Sequence, residues 1–316
     1  MKCVLALDAG GTKCDALLVK TDGEALAMGN HTIPGISGRS RDAITAVAEQ
    51  VLKPLGVRID ALHVACVDKC SLPTPVFPRL GFGRFELHIF TEFDGPLCLV
   101  NAAYGMVVLS GTGALVWIRT RDGREFSLDG MGPLVGDFGS GYYIGSLAIR
   151  AATRSTWHPD YKTSLEQAVL RASQVREIIH LNDLTQDRSG VAALAPVVDA
   201  EANAGDRMAI QIMEEAAASM VATIRGMVTK SGISSESYAM VGTGGVVMNS
   251  KIYWEQVCRL VREFAPGLRP MRCPLPPVAG IALATLLRLG SPDPASLRAR
   301  LFDTTKVLMQ ARKQQA

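Results

Sequence analysis

The sequence predicts an α/β protein made of two duplicated lobes, and three observations carry that expectation. The first is the opening stretch, Val4-Leu-Ala-Leu-Asp8-Ala-Gly-Gly-Thr-Lys13-Cys-Asp-Ala-Leu-Leu-Val19, where two short apolar runs flank a Gly10-Gly11-Thr12 turn. Short apolar runs bounded by glycine read as buried strands, so this is a hairpin with Asp8, two glycines and Thr12 at its tip. The second is Met106–Ile118, where Ser110-Gly111-Thr112-Gly113 again separates two apolar runs. The third is the punctuation after each hairpin, Thr21-Asp-Gly23-Glu and Arg121-Asp-Gly123-Arg, both Asp-Gly turns of the kind that close strand pairs. Two ordinary hairpins can share punctuation by coincidence. Here each heads one half of the chain, which favours duplication.

The first tip has a chemistry of its own. Paired glycines let backbone N–H groups approach an anion closely, because no Cβ stands in the way. Thr12 and Lys13 add a hydroxyl and an ammonium to the same cradle. A carboxylate beside a phosphate cradle is repulsive unless a divalent cation, usually Mg2+ with its own waters, lies between them. Asp8 is therefore the candidate metal ligand, and the loop suits a metal–nucleotide phosphate. A glycine hairpin with a surface Asp is the bland alternative. Two lobes meeting at their Gly/Thr tips would hold a nucleotide between them, since domain interfaces are preferred ligand sites.

Composition sets the bounds. A chain of 316 residues suits two domains, and 48% hydrophobic with 20% charged residues suits sizeable cores rather than disorder. A formal net charge of +3 without a Lys/Arg block argues against nucleic acid as partner. The seven cysteines are scattered, and Cys66 and Cys70 have one residue too many between them for a CxxC pair, so structural thiols in a reducing compartment are expected. The N-terminus reads as a strand rather than a signal peptide, and no apolar run reaches the ~18 residues needed to span a bilayer. A soluble, cytoplasmic protein without membrane partners is expected.

In chain order, Leu26–Met28 reads as a third strand. A Pro/Gly loop from His31 to Gly38 leads to a helix capped by Ser37 or Ser40, whose Ile44, Val47, Ala48, Val51, Leu52 and Leu55 recur at helical spacing. Leu62–Ala65 and Leu87–Phe90 are strands, and the second ends in Thr91-Glu92-Phe93-Asp94-Gly95. In the second half, Gly130-Met131-Gly132-Pro-Leu-Val-Gly136-Asp137-Phe-Gly139-Ser140-Gly141 feeds a helical run, Tyr142–Ala152. A glycine-rich turn entering a helix aims backbone donors at an anion. Asp137 is then either a helix cap or a substrate ligand.

Thr163–Gly232 reads as all-helical, with the methionines of Gln211–Thr229 at core spacing. Val241-Gly242-Thr-Gly244-Gly245 ends a strand and precedes a helix from Ser250 to Phe264; its spacing is not that of a dinucleotide fingerprint. It is either a flat glycine shelf under an adenosine or a plain tight turn. Val278–Leu287 is a small-residue helix suited to close packing, Leu297–Met309 an amphipathic one, and the tail from Arg312 is expected to fray.

With these motifs in order, the chain resembles the actin, hexokinase and heat-shock-chaperone superfamily of two-lobed ATP-binding proteins. Within it, the chain is most similar to the N-acetylglucosamine kinase family, which includes the ATPases that activate benzoyl-CoA reductase. The resemblance spans nearly the whole chain and rests on Asp8–Lys13, Ser110–Gly113, Gly136–Tyr143 and Gly242–Val246. It implies an actin-like ATPase (ribonuclease-H-like) fold with a nucleotide cleft between lobes 1–108 and 109–316, the second lobe carrying the helical insertion and the last helix packing back on the first. It also implies that ATP and Mg2+ are bound. Gly10, Gly11, Thr12, Lys13, Gly111, Thr112 and Gly113 would embrace the phosphates, and Gly242, Gly244 and Gly245 would hold the adenosine.

Sugar kinases of this kind use a carboxylate base on the acceptor hydroxyl. Counting back from the Gly-Thr-Gly loop, the matching position is Glu92, with Asp94 in reserve. Gly136, Asp137 and Met131, the last standing where the family has a tryptophan, correspond to the sugar side. Two sugar-side loops depart from the family pattern: Pro34-Gly-Ile36-Ser-Gly38 lacks the usual Asn, and Val67-Asp68-Lys69-Cys70-Ser71 replaces a glycine-rich loop.

The reading favoured is an ATP-dependent kinase of a sugar or amino sugar, with a homodimer suggested by the resemblance. The alternatives are an ATP-hydrolysing switch acting on a partner protein and a sugar-binding regulator that has lost catalysis. No Cys lies near Gly111–Gly113 or Gly136–Gly141 to hold an iron–sulfur centre, which argues against the iron–sulfur variant of the switch, and a start at the first strand argues against a regulator with a DNA-binding segment in front.

Overall fold

The structure is a computed structural model that describes residues 1–10, 12–32, 40–55, 59–67, 76–184, 187–233 and 236–315. The chain divides into two compact units, Met1–Ala103 with Cys273–Ala316, and Tyr104–Arg272.

The first unit opens with β1 (Lys2–Ala9), β2 (Cys14–Lys20) and β3 (Ala25–His31), followed by α1 (Arg41–Leu52), β4 (Ala61–Val67), α2 (Val76–Arg79), β5 (Glu86–Phe90) and α3 (Asp94–Leu99). The sheet order is β3-β2-β1-β4-β5. β1 pairs antiparallel with β2, and β4 pairs parallel with both β1 and β5. Val4–Leu7 are fully buried because the central strand is covered on both faces, which is why its sequence is a continuous apolar run rather than an alternating one. Each such buried Val or Leu contributes about 1.5–3 kcal/mol. α1 begins at Ser40, whose Oγ accepts a hydrogen bond from the Ala43 backbone N–H at 3.1 Å. Ser37, the other expected cap, lies outside the described residues.

The second unit repeats this plan with β6 (Gly105–Ser110), β7 (Ala114–Arg119) and β8 (Glu125–Asp129). It then inserts helices α4 (Gly141–Ser155), α5 (Leu165–Ser173), α6 (Leu181–Leu184), α7 (Arg188–Ala192), α8 (Ala195–Asn203) and α9 (Arg207–Ser231) before β9 (Tyr238–Thr243), α10 (Gly245–Asn249), α11 (Lys251–Phe264) and β10 (Leu268–Arg272). Its sheet order, β8-β7-β6-β9-β10, matches the first sheet strand for strand, antiparallel where the first is antiparallel and parallel where it is parallel. The Asp-Gly turns match too. Lys20 N–H donates to Glu24 O at 2.9 Å and Thr120 N–H to Arg124 O at 2.9 Å, with Gly23 and Gly123 both in the left-handed region. The duplication read from punctuation is therefore a duplication of topology.

The chain returns to the first unit as α12 (Pro277–Arg288) and α13 (Pro294–Gln315). α12 packs on α3 at a glycine–glycine crossing: a Cβ on Gly280 would stand 2.1 Å from the Gly95 carbonyl oxygen. On α13, Arg298 donates to the Leu99 and Cys98 carbonyls at 3.0 and 2.8 Å, satisfying acceptors left open at the end of α3. Sequence reading placed no helix at Asp94–Leu99, and it expected the tail to fray. Instead α13 runs to Gln315, and Arg312 donates to Asn30 Oδ1 at 3.1 Å, tying the last turns to β3.

The six described cysteines are free thiols, as structural thiols should be; Cys70 lies outside the described residues. Burial pushes Cys98 up to about 11 and Cys273 up to about 12, which keeps both protonated and inert. Among the described residues, no helix is long and apolar enough to cross a membrane.

Candidate active site

The first unit presents its tip residues at the end of the β1–β2 hairpin. Pairing runs to Ala9↔Cys14, and Gly10 N–H closes the turn on Lys13 O at 2.8 Å. One step behind the tip, Asp8 stands directly opposite Asp15, a buried carboxylate that sequence reading passed over because it lies inside an apolar run. Lys13 Nζ sits 2.7 Å from Asp15 Oδ2. Opposed like charges on neighbouring strands are destabilising. Oxygen donors so arranged suit a hard divalent cation, with the lysine beside them. The residues present thus fit Mg2+. Thr12 is half-buried at the same tip, and Gly11 lies outside the described residues.

Glu92 and Asp94, the two candidate bases, follow β5 on the short turn into α3, and both are half-buried. Asp94 Oδ2 accepts from Thr91 N–H at 2.8 Å and from Thr91 Oγ1 at 2.9 Å, so its carboxylate orders the turn. The sugar-side loops 34–38 and 68–71 lie outside the described residues.

In the second unit, three sequence-separated glycine segments converge. The β6–β7 tip closes through Gly111 N–H to Gly113 O at 2.9 Å. The turn after β9 lies against it: a Cβ on Gly111 would be 3.8 Å from Gly244 Cα and from Gly245 N, and one on Gly244 would stand 2.3 Å from Ser110 O. Gly244 also has φ of +91°. Of the three shelf glycines, Gly245 is exposed and Gly244 half-exposed, whereas Gly242 is enclosed within β9, where Trp254 fills the space a side chain would need. The third segment is the entry to α4, whose Gly141 N–H donates to Gly111 O at 2.7 Å.

Asp137 anchors this convergence. It is 2% exposed and has φ of +60°. Its Oδ1 accepts from Ala114 N–H at 3.0 Å and its Oδ2 pairs with Arg188 Nη2 at 2.5 Å. It is not the helix cap: Ser140 is, its Oγ accepting from Tyr143 N–H at 3.1 Å. Gly113 must lack a side chain because a Cβ there would meet Arg188 Nη2 at 2.6 Å and Asp137 Oδ1 at 2.7 Å. Arg188 is brought in by α7, capped by Asp187 and seated on α4 at Gly145, where a Cβ would stand 1.9 Å from Val191 O. Sequence reading missed Arg188, 51 residues from its partner and inside a helical insertion with no motif.

Asp129, also missed, shapes the loop before Asp137. With φ of +75°, it accepts from Gly130, Asp137 and Phe138 N–H at 2.7, 2.5 and 2.9 Å, and Gly136 is a glycine because a Cβ would collide with it. This holds Met131 on an exposed loop with Leu134, Val135 and Phe138. The second unit therefore brings the Gly111–Gly113 turn and the exposed Gly245 backbone beside a guanidinium fixed by a buried carboxylate. That arrangement can bind an anion.

Comparison with known proteins bears on the family and the fold. The profile of the BadF/BadG/BcrA/BcrD ATPase family matches residues 5–282. The chain is 26% identical over 291 residues to an N-acetylmuramic acid/N-acetylglucosamine kinase of Clostridium acetobutylicum, covering 85% of this chain and 93% of the relative. It is 26% identical over 315 residues to an N-acetyl-D-glucosamine kinase of Dictyostelium discoideum, covering 89% and 97%. A solved structure from Chromobacterium violaceum, provisionally assigned as an N-acetylglucosamine kinase, superposes with a TM-score of 0.68 at 19% identity, covering 91% of this chain and 99% of the other. That likeness bears on the fold.

Proposed function

The chain belongs to the BadF/BadG/BcrA/BcrD ATPase family, and from that premise we propose that it is an ATP-dependent kinase whose acceptor is a hydroxyl of an amino sugar of the N-acetylglucosamine kind. The observation that carries this reading is the duplicated pair of Gly/Thr hairpin tips, with Asp8 and Asp15 behind one and Asp137–Arg188 beside the other. The names of the two 26%-identical relatives, which the chain matches over most of their length, support the amino-sugar acceptor.

Phosphoryl transfer asks a protein for positioning and charge stabilisation more than for covalent chemistry. In this reading Asp8, with Asp15 opposite, holds the metal that accompanies ATP. Bound Mg2+ supplies charge neutralisation on the phosphate oxygens. Gly10, Gly11, Thr12 and Lys13, together with Gly111, Thr112 and Gly113, form the two turns that embrace the phosphates. Gly244 and Gly245 lie under the adenosine, and Gly242 serves by admitting Trp254 beneath them. Asp137 acts as a positioning residue that fixes Arg188 beside the Gly113 turn, where the guanidinium adds positive charge for the phosphates. Gly136 and Met131 border the acceptor.

Glu92 takes the proton from the acceptor hydroxyl as the new O–P bond forms and the bond to ADP breaks. Asp94, whose carboxylate accepts two hydrogen bonds from Thr91, is held as the reserve. The test is ADP release from Mg-ATP across hexoses, amino sugars and N-acetyl sugars, for wild type and Glu92→Gln. The expected outcome is stimulation by an N-acetyl amino sugar that falls by about 10²–10⁴-fold in the variant. Stimulation that survives Glu92→Gln would move the base to Asp94. ATP turnover indifferent to every sugar would favour a switch acting on a partner protein.

A further inference from the structure

One cluster of chemistry-bearing side chains plays no part in this reading. His63 on β4 and His88 on β5 turn ring nitrogens towards each other, Nδ1 to Nε2, at 3.3 Å, with ring centroids 5.4 Å apart. Glu86, two residues before His88, completes a triangle: its Oε2 is 3.2 Å from His63 Nδ1 and its Oε1 3.6 Å from His88 Nε2. The parallel register produces this grouping, since His63 pairs with Glu86 and Ala65 with His88 on the two adjacent strands. Among the described residues, these form the one group of three or more His, Cys, Asp or Glu side chains placed to hold a metal ion.

The edges of the triangle have a meaning. Zn2+ binds imidazole nitrogen and carboxylate oxygen at about 2.0–2.2 Å in tetrahedral geometry, so two ligand atoms on one ion lie roughly 3.3–3.5 Å apart. The His63–His88 separation matches that edge, each imidazole nitrogen has a Glu86 oxygen at 3.2 or 3.6 Å, and one ligand atom from each of the three residues lies within 4.8 Å of the others. The side chains of His63 and His88 are 15% and 11% exposed, while that of Glu86 is 63% exposed, so the triangle is walled within the unit and open towards water. Three protein ligands with an open fourth position make a site that keeps a water or takes a further ligand.

We propose that His63, Glu86 and His88 form a binding site for a borderline transition-metal cation, Zn2+ or Co2+, separate in place and in chemistry from the Mg2+ expected at Asp8. The proposal rests on no part of the kinase reading. Imidazole donors select Zn2+, Co2+ or Ni2+ over Mg2+ and Ca2+, whereas the all-oxygen Asp8–Asp15 pair does the reverse. Burial pushes the His88 imidazole below its usual range, with His63 and Arg288 adding to that shift against the opposing pull of Glu86. The same guanidinium, held over the Phe90 ring and against Ile89 O, weakens the field for any cation. Affinity is therefore expected to fall short of that of a closed structural zinc site.

Occupancy would bolt the edge strand β5 to β4. β5 runs directly into the turn that carries Glu92, so the bolt sits one strand-length from the proposed base.

The experiment uses the full chain without an affinity tag, dialysed against chelator and kept in millimolar Mg2+. Co2+ is titrated while visible absorption is recorded, and Zn2+ is titrated calorimetrically, for wild type, Glu86→Gln and His88→Gln. The expected result is one saturable equivalent giving the intense visible band of four-coordinate cobalt without thiolate charge-transfer absorption. Zn2+ should displace it, and affinity should fall at least about tenfold in each variant. Amide exchange in 86–90 should slow when Zn2+ is bound. Glu86 is exposed, so its variant is expected to fold even if His88→Gln does not. Absence of saturable binding in excess Mg2+, binding unchanged in Glu86→Gln, or a thiolate band placing the metal on cysteine would each overturn the proposal.

Discussion

The two hairpin tips occupy the same place in two sheets of one topology, yet they are made of opposite materials. Behind the first tip the facing pair is Asp8↔Asp15; at the matching step behind the second it is Leu109↔Leu115. The first tip takes charge from its own strands. The second keeps apolar strands and borrows charge from Asp137 and Arg188, which arrive from the loop before α4 and from α7. Duplication has fixed the backbone path, including the Asp-Gly turns, and left the chemistry free to differ. An acidic pair suits a metal ion, and a guanidinium beside a glycine turn suits phosphate oxygens. Equivalent positions thus carry side chains suited to the complementary tasks proposed for them.

The sharpest break in that comparison is Asp8→Asn. If the first tip is the metal tip, phosphoryl transfer should fall by about 10³-fold or more, a loss of ~4 kcal/mol of transition-state stabilisation. Steady-state rates against Mg2+ concentration check this, with circular dichroism confirming the fold. Gly113→Ala tests the second tip. Its Cβ would press on Arg188 Nη2 and Asp137 Oδ1 at 2.6 and 2.7 Å, so kcat/KM for ATP should drop by about 10–100-fold with little change in melting temperature.

Gly280→Ala tests stability rather than chemistry. The new methyl would sit 2.1 Å from Gly95 O, and unfolding free energy should fall by about 1–3 kcal/mol in a urea titration. The smallest effect concerns the thiols. With Cys98 and Cys273 pushed up to about 11 and about 12, iodoacetamide at pH 8 should leave both unmodified in the native protein and label them in urea.

Sequence reading reached those features whose cause is local. Apolar runs punctuated by glycine gave both hairpins, and methionines at helical spacing gave the face of α9 that buries Met213, Met220 and Met227. Small residues around Gly280 foretold a close helix crossing before its partner at Gly95 was known. What stayed hidden depends on contacts between distant segments. Arg188 acquires meaning only when Gly145 lets α7 settle on α4. Asp15 hides inside an apolar run until strand register sets it opposite Asp8. Asp94-Gly95 reads only as the end of the stretch after a strand, yet it begins α3, whose end Arg298 caps from the far end of the chain. His63 and His88 interrupt separate strands as single polar residues, and parallel pairing alone makes them neighbours.

Gly242, Gly244 and Gly245 look alike in sequence and differ in space. Gly242 is needed for packing beneath Trp254, Gly244 for its left-handed backbone, and Gly245 lies open to solvent. A glycine-rich motif carries several physical demands at once, and periodicity cannot apportion them.

The most direct test is to incubate the protein with Mg-ATP and N-acetylglucosamine or N-acetylmuramic acid and to identify the product by mass spectrometry, with Asp8→Asn in parallel. The account predicts a sugar that gains one phosphoryl group, matched mole for mole by ADP and lost in the variant. ATP hydrolysed to free phosphate with both sugars recovered unchanged would contradict it.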